Sequence, residues 1–238
     1  VPLGRIIGQW LGWRVTFGVI GITALVIMFS LYRLLPVMPS LFTGSMKKLP
    51  ELLKNPALMG LYLFIFMIFT AHYSAYSYIE PFLKTIGLLS ENFTTFLLLL
   101  FGSAGIIGSV IFGNLGERPN TPILVGCTAT VMVCTAMLYF AVPHLWSISI
   151  LLVVWSAALM IVCLVMQVKV LNIDSNASDM IMSMFSGIIN LGIGAGALIG
   201  GKVILFMSLE GIGYVSALFA LLSLLWIIFM MKRYSAIR

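Results

Sequence analysis

Long apolar runs separated by short polar segments dominate the chain. About 20 apolar residues in a helix cross the roughly 30 Å of bilayer hydrocarbon. Helices are predicted because every backbone polar group in lipid needs an internal partner, and the short alternating strands of a membrane barrel are not apparent. We therefore expect seven complete spans, and residues 1–12 are predicted to end an eighth. The seven runs lie near residues 15–35, 57–79, 94–115, 121–142, 145–167, 183–206 and 211–231.

Composition places most of the surface in lipid. Of the 238 residues, 61% are hydrophobic and only 8% are charged, whereas soluble domains carry about 25% charged residues. The net charge is +6, but the cations are too few and too dispersed for a nucleic-acid-binding face. Lipid is thus an expected partner and nucleic acid is not. The three cysteines lie in apolar runs without metal-ligand spacing, so no metal site is predicted.

The distribution of lysine and arginine predicts the orientation. The segments between spans alternate between the two sides of the membrane. Nine of the 13 lysines and arginines fall on one side, in residues 33–56, 116–120 and 168–182 and at the C-terminus. Cytoplasmic loops collect lysine and arginine. The C-terminus is therefore predicted to be cytoplasmic.

The longest connection, residues 36–56, contains four prolines and is predicted to be a cytoplasmic linker between two bundles. Residues 1–35 would then end an N-terminal six-helix half (spans 5 and 6), and residues 57–238 would form a C-terminal half (spans 7 to 12). A weak internal repeat agrees, because residues 2–7 can be laid on residues 199–204. Two parallel six-helix halves are a known transporter plan. We expect the missing N-terminal helices of the same protein upstream of Val1.

Small residues recur at a spacing of four in two spans. Small residues at this spacing let helix backbones approach closely. A dinucleotide-binding loop is excluded, because the glycines follow no strand and lie inside an apolar span. Helix packing is therefore predicted at Gly105, Ser109, Gly192, Gly196 and Gly200.

The span at 57–79 carries a polar face. His72, Tyr76 and Glu80 are spaced four apart and share one side of a helix, with Tyr73 beside them. Polar groups within a span usually face the bundle interior or a watery cavity. Aromatic rings can pack on sugar rings while a few polar groups fix orientation. These four residues are predicted to bind substrate.

Structural alternatives remain open for these residues. Tyrosines also populate membrane interfaces, and His72 could bond a neighbouring helix. Glu80 precedes Pro81, which disfavours helix at Glu80 and fits a solvated helix end. Trp155 and Asn190 are further candidates for substrate contact, with core packing and helix–helix bonding as their alternatives.

Residues 113–118 resemble the cytoplasmic loop motif of the major facilitator superfamily in its weaker second-half form. Within that superfamily the chain resembles the bacterial sugar efflux transporters of the drug:proton antiporter branch. The stretches that carry this resemblance are residues 70–82, 105–113, 166–171 and 185–201.

The resemblance implies an all-α transmembrane bundle of the major facilitator type, of which this chain is the C-terminal portion from the end of span 5 through span 12. It implies export of arabinose-like or galactoside-like sugars across a bacterial inner membrane, driven by proton entry and without a cofactor. Gly113, Glu117 and Arg118 would then act in gating, although Arg118 could merely set topology. For proton coupling, only His72 and Glu80 come near a suitable position within these spans, and an acid upstream of Val1 is the alternative.

Three other functions compete with sugar export, and one of them, a non-transporting assembly subunit, is weakly disfavoured by the polar face of the span at 57–79. The same fold serves many substrates, so an exporter of drugs or other small amphiphiles is the nearest rival. A membrane-embedded enzyme is disfavoured, because the chain has no HExxH motif, no phosphate-binding loop and no paired acids deep within a span.

Overall fold

The structure, a computed structural model, describes residues 12–34, 49–115, 121–174 and 177–234. Within these ranges it contains helices and no strand. The first part of the chain forms α1 (Trp13–Leu34), α2 (Leu49–Lys54), α3 (Pro56–Tyr76), α4 (Ile79–Thr85) and α5 (Glu91–Leu115). The second part forms α6 (Thr121–Ala136), α7 (Leu138–Ala141), α8 (Leu145–Leu171), α9 (Ser178–Met207), a 3-10 turn (Leu209–Gly211) and α10 (Ile212–Arg233).

Six of the described helical segments are long and apolar enough to cross a membrane, as the apolar runs predict. They are Trp13–Leu34, Pro56–Thr85, Glu91–Asn114, Leu145–Leu171, Ser178–Met207 and Leu209–Arg233. The remaining predicted span is built from α6, which has 16 residues, and the short α7 directly after it. The all-α transmembrane architecture is thus confirmed.

Contacts divide the chain into two units, residues 1–43 and residues 44–238. The division lies within the predicted linker. In the first unit, α1 is a 22-residue helix without a buried residue. The segment proposed to pair with the internal repeat, residues 2–7, lies outside the described residues. The second unit contains all the other described helices.

In the second unit, α3 is the central helix. It packs mainly against α9 and α10, while α5 packs against α8, and α6 packs against both α8 and α10. Glycine sets the close α3–α9 approach. A Cβ on Gly196 would lie 2.7 Å from the Thr70 carbonyl oxygen, and one on Gly192 would lie 2.9 Å from that of Phe66. Gly200 lies against Ser74 in the same way.

The α5–α8 contact uses glycines at a different spacing from the one predicted. A Cβ on Gly108 would lie 2.6 Å from the Ala157 carbonyl oxygen, and one on Gly105 would lie 3.7 Å from Ser156 Oγ. Ser109 instead bonds its own helix, at the Ile106 carbonyl. The four-residue spacing predicts Ser109 at the helix contact. In the structure, Gly108, one residue earlier, makes the closest approach to α8.

A break separates α3 from α4 at Ser77 and Tyr78. Pro81 explains its position. Proline has no N–H for the carbonyl four residues earlier, and its ring clashes with that carbonyl. Here that carbonyl belongs to Ser77, so the helix cannot continue unbroken through this point. Tyr78 adopts φ −118° and ψ 12°, and α4 then begins at Ile79.

Candidate functional site

Five aromatic side chains from three helices meet inside the second unit. His72, Tyr73 and Tyr76 come from α3, Phe101 from α5 and Trp155 from α8; we call them the aromatic cluster. The His72 ring stacks on Tyr76 with centroids 4.9 Å apart and meets Trp155 edge-on at 5.2 Å. Phe101 stacks on Tyr76 at 4.7 Å and meets Trp155 edge-on at 5.4 Å. The structure therefore brings together four of the six predicted substrate-binding residues.

The cluster is buried on one side and half-open on the other. His72 is 3% exposed and Trp155 is fully buried, whereas Tyr73 and Tyr76 are half-buried. A molecule reaching the cluster would thus meet the tyrosines first. The two nitrogen-bearing rings lie behind them.

Two polar atoms of the cluster lack hydrogen-bond partners. Among the described residues, three buried side-chain polar atoms make no hydrogen bond: His72 Nδ1, Trp155 Nε1 and Thr94 Oγ1. Two of the three lie in the cluster. Leaving a buried polar group unpaired costs about 1–3 kcal/mol, so each such group needs an explanation. A ligand that hydrogen-bonds these nitrogens supplies one.

Neighbouring contacts hold the rings in place. The Ser156 hydroxyl donates to the Phe101 carbonyl at 2.6 Å, which ties α8 to α5 next to Trp155. On α3, a Cβ on Gly196 would lie 2.8 Å from the Tyr73 Cβ, so α9 packs against the base of that side chain. The cluster thus stands on tightly packed helices.

Glu80 lies on a different helix from the three cluster residues of α3. It belongs to α4, after the helix break, and its carboxylate pairs with Lys84 Nζ at 3.0 Å. Lys84 also bonds Glu91 at 3.1 Å, and all three side chains are partly exposed. The helix is interrupted between Tyr76 and Glu80, so one continuous helix does not carry both. A role for Glu80 in substrate binding stays a prediction.

Asn190 lies on α9, which contributes none of the five cluster residues. It is exposed on α9, and its amide Nδ2 donates to the Ser186 carbonyl one turn earlier at 2.9 Å. The structure therefore gives it a bond within its own helix. A role for Asn190 in substrate contact stays a prediction.

Of the predicted gating residues, only one is described. Gly113 is exposed near the end of α5, and a Cβ there would meet nothing within 4 Å. Packing within the described residues therefore does not require glycine at this position. Glu117 and Arg118 lie outside the described residues, and their gating role stays a prediction.

The structure adds two residues that the sequence patterns did not single out. Phe101 completes the cluster; its signal was an aromatic side chain one turn before Gly105 on the same face of α5. Lys169 is 5% exposed, and its ammonium donates to Thr121 Oγ1 at 2.9 Å, joining the end of α8 to the start of α6. Lys169 is one of the nine cations on the predicted cytoplasmic side, and its bond to a residue 48 positions away has no signal in the sequence.

Comparison with known families decides the class of protein. A family model described as Major Facilitator Superfamily matches residues 1–173. The chain belongs to the major facilitator superfamily. This superfamily consists of transporters rather than enzymes, so the protein is a multi-pass membrane transporter. The predicted major-facilitator-type bundle is confirmed.

The superfamily match includes every residue of the aromatic cluster. It ends before α9, which carries Gly192, Gly196, Gly200 and Asn190, and before α10. Major facilitator proteins bind substrate near the bilayer midplane between repeats. The cluster also lies within long spans, with Trp155 at the eleventh position of the 27-residue α8. Its depth therefore suits a substrate site of this superfamily.

Proposed function

We propose that the protein exports sugars, arabinose-like or galactoside-like, from the cytoplasm in exchange for protons by alternating access. The observation that carries the proposal is the aromatic cluster with its unpartnered His72 Nδ1 and Trp155 Nε1. The cluster offers stacked rings and unused hydrogen-bonding groups together.

The cluster has the chemistry that a sugar needs. A sugar presents C–H faces that pack on aromatic rings and hydroxyl groups that both donate and accept hydrogen bonds. The Trp155 indole N–H is a donor only, whereas a histidine ring nitrogen donates or accepts according to its tautomer. One sugar molecule can thus satisfy both buried nitrogens.

Binding requires the cluster to open. His72, Tyr76, Phe101 and Trp155 have centroids 4.7–5.9 Å apart, so the rings fill the space between one another. Alternating access moves helix bundles relative to each other around the substrate site. Since all five residues belong to the same bundle, we propose that the Tyr73 and Tyr76 side chains rotate away from the two rings behind them during this movement and admit the sugar.

The setting of the transporter is part of the proposal. The lysine and arginine distribution supports a cytoplasmic C-terminus, and the resemblance supports a bacterial inner membrane. We assign proton coupling to an acid in the N-terminal helices of the full-length protein. The acids of the described helices support this, because each of them lies at or near the end of its helical segment. The complete cavity would need both halves.

A second candidate is a proton-linked exporter of lipophilic drugs. One observation favours it: the five cluster side chains are all aromatic, and aromatic faces attract organic cations. A site for cations would rely on ring faces alone. Since the indole N–H of Trp155 can only donate, a cation would leave it unpaired. This difference makes Trp155 the residue that separates the two candidates.

The test is uptake into inverted vesicles that carry the full-length protein, with radiolabelled arabinose, a galactoside and a lipophilic cation as probes. The variants are His72→Ala, Tyr76→Phe and Trp155→Phe; the last keeps a ring but removes the N–H. The control is Trp146→Phe, since Trp146 is 84% exposed at the start of α8.

Saturable sugar uptake that an uncoupler abolishes and that the three variants weaken, but Trp146→Phe does not, would support the sugar exporter. Uncoupler-sensitive uptake of the lipophilic cation alone, unchanged in Trp155→Phe, would support the drug exporter instead. Equal losses of uptake in Trp146→Phe and Trp155→Phe would contradict a role for the cluster in binding either sugar or drug.

A further inference from the structure

A groove lies between α3 and α10, away from the aromatic cluster. It forms where α3 begins and α10 ends, and its volume is about 330 Å³. That size is within the range of small-molecule sites in proteins. Its walls are mostly apolar and include Met59, Leu63 and Phe229. Leu63 is 41% exposed and Phe229 is 49% exposed, so the groove opens to the outside of the described bundle.

Fixed contacts shape the floor of the groove. The Trp226 indole donates to the Gly60 carbonyl at 2.9 Å, which holds the ring against α3. Met230 occupies the space in which Gly60 would carry a side chain. The floor is therefore preformed by tight packing between the two helices, and the opening above it is a feature of the fold.

One end of the groove is cationic. Arg233 lines it in the last turn of α10, with its guanidinium carbon 5.9 Å from the ring centroid of Tyr234. None of the nine lining residues is acidic. Lys54, at the end of α2, comes just before α3, and Lys232 adjoins Arg233 in α10. The groove thus pairs an apolar trough with a positive mouth at one end.

We propose that this groove binds an anionic glycerophospholipid of the cytoplasmic leaflet, with one acyl chain along Leu63 and Phe229 and the phosphate at Arg233. A phospholipid has the same polarity along its length, an apolar chain with an anionic head. Basic pockets between transmembrane helices on the cytoplasmic side bind anionic lipid head groups. Arginine also suits phosphate, because its planar guanidinium can donate two parallel hydrogen bonds.

Other ligands would need only one of the two parts of the groove. A free phosphate would need the cation but not the apolar trough. Another protein segment would need the trough but not an anionic head group. The lipid alone requires both parts of the groove at once, and the test addresses each part.

The test measures lipid retained by the purified full-length protein in native mass spectrometry, with dioleoylphosphatidylglycerol and dioleoylphosphatidylcholine supplied in equal amounts. Arg233→Gln removes the lining cation. Lys232→Gln is the matched control, since it removes an exposed cation one residue away that does not line the groove. Losing one interfacial cation is expected to lower retention of the anionic lipid about fivefold. The expected result is that drop in Arg233→Gln and a smaller change in Lys232→Gln.

A photo-crosslinking residue at Phe229 tests the apolar trough independently. Crosslinks to the added phosphatidylglycerol are expected, and Arg233→Gln should reduce them. Equal effects of the two charge variants would overturn the proposal in favour of general surface charge. So would equal retention of the two lipids by the unaltered protein. Crosslinks to protein alone would assign the groove to another segment.

Discussion

Two sides of α3 use polar groups in opposite ways. Towards α9, the hydroxyls of Tyr62 and of Tyr78, which directly follows α3, donate to carbonyls of that helix at 2.9 Å each. The Thr70 hydroxyl donates to the Phe66 carbonyl of its own helix at 2.8 Å, with the Gly192 carbonyl at 3.4 Å. Towards α5 and α8, His72 presents a ring nitrogen that bonds none of the described residues. The first side is a satisfied packing seam, and the second keeps hydrogen-bonding capacity unused.

The difference separates residues that hold the fold from residues available to a ligand. In lipid there is no water to compensate an unpaired group, so a seam bonded along its length stabilises the pair of helices. An unpaired group of the same kind destabilises the fold unless something else binds it. The polarity of a span alone therefore does not identify a site; the partners of its polar atoms do.

The largest effect is expected in the seam. Gly196→Ala places a Cβ against the Thr70 backbone, which cannot move as a flexible side chain does. Overpacking of this kind costs about 1–3 kcal/mol of unfolding free energy. Gly194→Ala is the control, because a Cβ there would meet nothing within 4 Å. Thermal unfolding in detergent should show a clear loss for the first variant only, and equal melting of both would contradict the close α3–α9 approach.

His72→Phe should separate transport from stability. An aromatic ring stays at the site but both ring nitrogens are removed, so a bond to substrate is lost while the unpartnered buried Nδ1 disappears. A hydrogen bond contributes about 0.5–1.5 kcal/mol, which corresponds to at most about a tenfold loss of sugar efflux. The melting temperature should stay unchanged or rise. The site would be in doubt if the variant melted early yet transported normally.

Tyr62→Phe should give the reverse result. It removes the hydroxyl that donates to the Ile181 carbonyl and leaves the ring in the core. The expected cost is about 1 kcal/mol of unfolding free energy with efflux unchanged. Tyr139→Phe serves as control, since the Tyr139 hydroxyl bonds no described residue. If Tyr62→Phe reduced efflux without altering melting, the seam would have a functional part.

Sequence patterns predicted the helices and the residues that share one face of a single helix. Apolar length predicts spans, and the four-residue spacing of His72 and Tyr76 placed both on one face because they share an unbroken helix. The spacing also identified Gly192, Gly196 and Gly200, which line up along α9. Such relations lie within one helix and follow from its period.

Relations between helices could not be predicted in the same way. Phe101 and Trp155 join His72 only because α5 and α8 pack at a particular register. That register depends on Gly108 facing Ala157, whereas spacing alone favoured Ser109. The bond between Lys169 and Thr121 likewise joins residues 48 positions apart in sequence. Glu80 differs, because Pro81 is visible in the sequence and predicts that the helix carrying His72 and Tyr76 ends near Glu80.

Glu80→Gln is expected to have the smallest effect and tests that last point. Glu80 and Lys84 form a partly exposed ion pair, with side chains 32% and 30% exposed. Exposed pairs contribute about 0.2–1 kcal/mol, so melting should change little. Glu210→Gln in the 3-10 turn is the control, because Glu210 is an exposed acid on the same predicted side of the membrane.

Sugar efflux decides where the site ends on this span. If the aromatic cluster is the site, Glu80→Gln should reduce efflux much less than His72→Phe does, because the break places Glu80 on α4 and not on the helix that carries His72. An equal reduction would mean that Glu80 joins the cluster when the transporter changes conformation. The break at Ser77 and Tyr78 would then be a joint within the site rather than its boundary.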